Sequence, residues 1–143
     1  MIGFGAFSKV IEKWQREGIH LLPPLAEAQV TDVLGSIDRA ISKDVRQIYT
    51  AVGGMAEGEM DGLMFSLWSL ERVVSENEKY NTSYLLFADF LIDSHLYCLR
   101  YKNDDESSVH IDYFDGSEPR CVAQSVSEFF ELYLSNPDEI YLM

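Results

Sequence analysis

The sequence predicts an α+β domain: N-terminal helices, then a largely antiparallel sheet of about five strands, with a short inserted helix and a closing C-terminal helix. Three observations predict it. Apolar residues recur at helical spacing through the first third of the chain, whereas short apolar or alternating runs split by turn residues follow, as strands require. Near the end, Ser125-Val126-Ser127-Glu128 matches the S-x-x-E capping box that opens a helix.

Each element has its own signal. Phe7, Val10, Ile11 and Trp14 fall at i, i+3, i+4 and i+7, giving a helix over Phe7 to Glu17, and Gly18 suits its end. Pro23 and Pro24 force an extended entry into a second helix, Leu25 to Leu34, closed by Gly35. A third helix runs from Ser42, its N-cap, to Val52. Val45, Ile48, Tyr49 and Val52 form its stripe, and Gly53-Gly54 terminates it. Leu63 to Ser69 is a short apolar run, and Leu70 to Asn77 a brief helix. Tyr84 to Ala88 reads as a central strand. Ser94 to Lys102 alternates, with Leu96, Cys98 and Arg100 on one side and His95, Tyr97, Leu99 and Tyr101 on the other. Val109 to Phe114 alternates too, after a polar hairpin loop at residues 103–108. A short strand, Arg120 to Ala123, precedes the last helix. There, Val126, Phe129, Phe130 and Tyr133 keep helical spacing until Asn136-Pro137.

At 143 residues the chain is long enough for one domain, residues 1–143, with a sizeable core. The N-terminus lacks the charge and apolar run of a secretory signal. No apolar run approaches the roughly 20 residues of a membrane helix, so a cytoplasmic location is expected. Cys98 and Cys121 lack metal-ligand spacing and are expected as reduced core or near-core residues.

Charge is the first functional clue. The net charge is −13, and all of the excess lies in residues 51–143, which hold eighteen acidic and five basic side chains. Such a field repels nucleic acid and anionic membrane and steers a basic protein toward the acidic face.

Enzyme chemistry finds few parts. His95 and His110 sit on neighbouring strands, where Asp93 or Asp112 would have to join them to form a metal or acid–base site; no metal-ligand spacing is present. His95 and Cys98 are an odd number of residues apart on one strand, so they point to opposite faces. Gly53-Gly54 runs into acidic residues where a phosphate would want donors. Neither catalysis nor a cofactor nor a metal is expected.

The order Leu22-Pro23-Pro24-Leu25, then Ile41 to Tyr49 followed by Val52-Gly53-Gly54, then Trp68-Ser69-Leu70-Glu71, Leu85 to Asp89, Ile92 to Tyr97, and Ser125 to Leu132 resembles the SUKH superfamily. This group of fungal cell-wall-synthesis regulator-like and bacterial immunity proteins is matched over roughly residues 19 to 136. Ser42 stands where members usually carry Pro, and Ala88 where many carry Gly. The resemblance marks Pro23, Pro24, Tyr49, Gly53, Gly54, Trp68, Phe129 and Phe130 as structural signature residues. It implies one α+β domain that binds proteins, commonly as an immunity protein neutralising a toxin, often a nuclease, and otherwise as a regulatory or scaffold module.

The expected docking residues are three acidic groups: Glu57, Glu59 and Asp61; Asp89 and Asp93; and Asp104, Asp105 and Glu106 at the hairpin tip. Sharing one rim of the sheet, they would present carboxylates to a basic protein partner. Monomer and homodimer both remain open.

Overall fold

A computed structural model describes residues 5–79, 83–90 and 95–140. Its elements follow the expected order: α1 (Gly5–Arg16), α2 (Glu27–Leu34), α3 (Lys43–Ala51), β1 (Phe65–Leu67), α4 (Leu70–Lys79), β2 (Leu85–Phe90), β3 (His95–Tyr101), β4 (Ser107–Asp112), β5 (Arg120–Ala123), α5 (Val126–Ser135) and a final short 3₁₀ turn (Pro137–Glu139). The strands form one antiparallel sheet in sequence order, β1-β2-β3-β4-β5. Among the described residues, no helix is long and apolar enough to cross a membrane.

One face of the sheet carries an aromatic core under α1 and α5. Phe65 lies against Trp14, Tyr97, Phe129 and Tyr133, while Phe87 meets Phe129. Trp14 and Phe65 stack, while the other pairs are tilted or edge-on, arrangements that suit the ring quadrupoles. The α5 stripe Val126, Phe129, Phe130 and Tyr133 is buried as its spacing predicts. Its cap forms as well. Ser125 Oγ accepts the Glu128 N–H at 3.0 Å, and the Glu128 carboxylate accepts the N–H of Gln124 at 3.0 Å.

Two side chains fasten α4 to β2, Asn77 and Arg72, the second through Asp89. The Asn77 amide donates to Leu86 O at 2.8 Å and accepts Leu86 N–H at 2.9 Å, standing in for a neighbouring strand beside the β2 bulge. β3 is buried on both faces over Leu96–Leu99, so its alternation does not separate core from solvent.

Two expectations about α3 are corrected. Ser42 precedes the helix but makes no side-chain cap. Its hydroxyl donates to Asp44 Oδ1 at 2.5 Å and meets Ser107 Oγ at 2.6 Å, inside the protein. The helix start is held instead by the hairpin, because Lys43 N–H and Asp44 N–H donate to the carbonyls of Asp104 and Asp105. At its other end the helix stops at Ala51, before the two glycines. The α2 helix likewise begins two residues later than expected, at Glu27.

Gly53-Gly54 does something more demanding than end a helix. A Cβ on Gly53 would lie 2.5 Å from Pro23 O. One on Gly54, whose φ is +100°, would lie 2.5 Å from Trp68 O and 2.7 Å from Ser69 Cα. Three chain segments meet here with no room for a side chain. The hydrogen bonds Leu22 N–Gly54 O, Gly53 N–Leu22 O and Met55 N–Leu67 O tie them together, and Tyr49 Oη donates to Trp68 O. Gly54→Ala therefore meets backbone on two sides and a φ that side chains avoid. It is expected to cost roughly 3 kcal/mol or more, read as a fall in urea midpoint, whereas Gly58→Ala, in open space, loses about 1 kcal/mol for its φ alone.

Candidate functional site

β1 is flanked by an open cleft of about 650 Å³ between the loop after Gly54 and α4. Met55, Leu67 and Trp68 give it an apolar floor. Glu57, Glu71 and Glu76 stand around it with one cation, Arg72. The carboxylates converge because α4 buries Leu70, Val73 and Asn77 against β2, which turns Glu71, Arg72, Ser75 and Glu76 outward on one side.

Arg72 is engaged with the wall of the cleft. Its guanidinium lies 4.3 Å from the centre of the Trp68 ring and 3.4 Å from Asp89 Oδ2. Asp89 also accepts the Trp68 indole N–H at 2.7 Å. Glu76 lies 3.4 Å from the exposed Lys79 ammonium, a solvent-screened pair that leaves its charge available.

A second, smaller groove of about 300 Å³ adjoins the cleft, lined by Leu22, Pro23, Leu25, Val33 and Leu70, with Gln29 at its mouth. Ser69 and Glu71 border both hollows. On α1, by contrast, Lys9, Lys13 and Arg16 gather around a shallow surface beside Leu134.

The structure divides the expected docking residues. Glu57 is exposed in the cleft, while Glu59 is half-buried and accepts His20 N–H at 2.5 Å. Asp61 is corrected: it is only 4% exposed and belongs to the core. Its carboxylate accepts the Trp14 indole N–H at 2.9 Å and the backbone N–H groups of Leu63 and Phe65. Asp89, also 4% exposed, is likewise turned inward to Trp68. Asp93 lies outside the described residues.

Asp104, Asp105 and Glu106 do lie at a surface hairpin, but not on the rim of Glu57. The hairpin joins the Tyr101–Ser107 end of the sheet, whereas the loop carrying Glu57 leads into Phe65, which pairs with Phe90 and through it His95 at the other end. The single acidic rim therefore does not form. Glu71 and Glu76 are the carboxylates that join Glu57, and sequence reading passed over them. Their signal was the four-residue spacing of Glu71 with Ser75 and of Arg72 with Glu76, opposite the buried stripe.

The histidines also separate. His110 pairs with Cys98, and His95 lies three residues before Cys98 on the same strand, so the two imidazoles point to opposite faces. His110 Nε2 meets Ser108 Oγ at 2.8 Å, and burial pushes its pKa down. Both cysteines are free thiols. Cys98 is buried, which raises its pKa, and Cys121 is exposed on β5, correcting the expectation of a near-core position.

Burial raises the pKa of Asp61 more than its N–H donors lower it, so the native state holds this proton more tightly than the unfolded chain does. Its stabilising contribution is then present at low pH and is lost as pH rises through the raised value. In Asp61→Asn, one side-chain oxygen is replaced by an N–H donor beside donors it used to accept. The expected cost is about 1–3 kcal/mol near pH ~4, shrinking toward neutrality. Urea midpoints of both proteins across that range check it, and a gap that widens with pH overturns the sign.

Compared with protein-family models and with curated proteins, the chain matches none.

Proposed function

We propose that the chain is a protein-binding module of the immunity type, which neutralises a cognate toxin, a nuclease for example, by taking its basic surface onto the acidic cleft. The observation that supports this above others is the convergence of Glu57, Glu71 and Glu76 over an apolar floor. A partner's lysine or arginine exchanges water for carboxylates there, above a floor closed by the buried Met55, Leu67 and Trp68. Carboxylates placed this way compete with a phosphate backbone for the same basic groups and raise the association rate. Apolar contact then sets the residence time. The opposite facing of His95 and His110 weighs against a reaction centre built on that pair.

The test uses the full chain, immobilised, with lysate of the source cell applied at low salt. The triple variant Glu57→Gln, Glu71→Gln, Glu76→Gln serves as control. The expected partner is basic, is retained by the parent and is lost from the variant. Its association slows roughly tenfold or more between about 20 and 200 mM salt, since the Debye length shrinks below the spacing of exposed charges. Its toxicity in cells is relieved by co-expression of the parent chain. Retention indifferent to both salt and the three substitutions would sink the reading. A retained basic partner without toxicity would turn it to a regulatory or scaffold module.

A further inference from the structure

We infer that the same partner seats a bulky apolar side chain in the groove beside the acidic cleft, so that what is recognised is an apolar residue next to a basic one. The inference rests on the docking reading above and names the chemistry of the docked segment. The groove walls, Leu22, Pro23, Leu25, Val33 and Leu70, are apolar, and the space of about 300 Å³ holds one large side chain with room for its backbone approach.

Its floor is already fixed. Gly53 N–H donates to Leu22 O, and Leu25 N–H to Tyr49 O, while Pro23 has no N–H to leave unsatisfied when water departs. Filling the groove thus desolvates apolar surface and strands few polar groups. Charge chooses the occupant's neighbour. Glu71 borders both hollows, and Glu57 and Glu76 lie beyond it, so a residue next to the seated side chain meets carboxylates. The wall already accepts a guanidinium of this chain, with Arg72 stacked on Trp68 and bridged to Asp89. A nucleic acid or an anionic lipid surface meets the opposite sign. The fitting occupant is a protein segment with an aromatic or leucine anchor and adjacent arginine or lysine.

The probe is a short synthetic peptide carrying one tryptophan flanked by arginines. Two controls replace the tryptophan by alanine or the arginines by citrulline. Binding is read from backbone amide shifts of the full isotope-labelled chain. The tryptophan peptide is expected to move Leu25, Gly53 and Leu70 together with Glu57, Glu71 and Glu76. The alanine peptide loses the first set and binds at least about tenfold more weakly, as expected for losing one buried aromatic. Gln29→Trp, which fills the groove mouth from the exposed side of α2, gives the same loss with the parent peptide. Shifts confined to Glu57, Glu71 and Glu76 end this inference and leave the acidic docking site standing. Shifts in neither set, with millimolar tryptophan peptide, end both.

Discussion

The close approach of Gly53-Gly54 to Leu22-Pro23 and Trp68-Ser69 is the constraint on which the rest of the structure depends. It is a steric condition, met only because both residues lack a Cβ and one takes a left-handed φ. From that crossing the chain pairs Met55 with Leu21 on one side and hydrogen-bonds to Leu67 on the other, so the edge of β1 is covered rather than offered as an open strand. The same crossing sets where α4 begins, because Trp68 and Ser69 lead directly into it. The acidic cleft and its apolar neighbour are the two hollows left on either side of this junction.

Two of the acidic residues in the carboxylate-rich part of the chain work inward. Asp61 and Asp89 each accept a buried indole N–H; the Trp14 N–H is shared with Tyr133 Oη, so removing Asp61 would strand chiefly the backbone N–H groups of Leu63 and Phe65. What distinguishes Glu57, Glu71 and Glu76 from them is geometry. They sit on a turn and a helix whose apolar side faces β1 and β2, so their charges stay in water. Other exposed carboxylates, among them Asp104, Asp105, Glu118 and Glu131, lie away from the cleft, and on α1 Lys9, Lys13 and Arg16 gather with Glu12.

Local pattern made much of the fold legible. The α5 stripe and its Ser125–Glu128 cap were readable because both depend on residues within one turn of each other. The antiparallel sheet of about five strands followed from short connections between apolar or alternating runs. The site was less legible for a physical reason. Whether an aspartate faces water depends on what meets it, and Asp61 meets Trp14, 47 residues away, while Asp89 meets Trp68, 21 residues away. Ser42 misled in the same way: its position suited a cap, but a buried aspartate and Ser107 claim its hydroxyl. The tightness of the junction between Gly53-Gly54 and Trp68 was equally illegible, because it depends on segments brought together from distant parts of the chain.

The pairing of each tryptophan with a carboxylate has an optical consequence. The chain contains two tryptophans, one packed among the helices over the sheet and one beneath Arg72 beside the cleft. Their fluorescence therefore originates from two separate neighbourhoods, each with a carboxyl oxygen on the pyrrole nitrogen. Quenching or a spectral shift from the second emitter follows events at the cleft, while the first follows the integrity of the aromatic interior. The molecule carries its own pair of reporters, one for occupancy and one for folding.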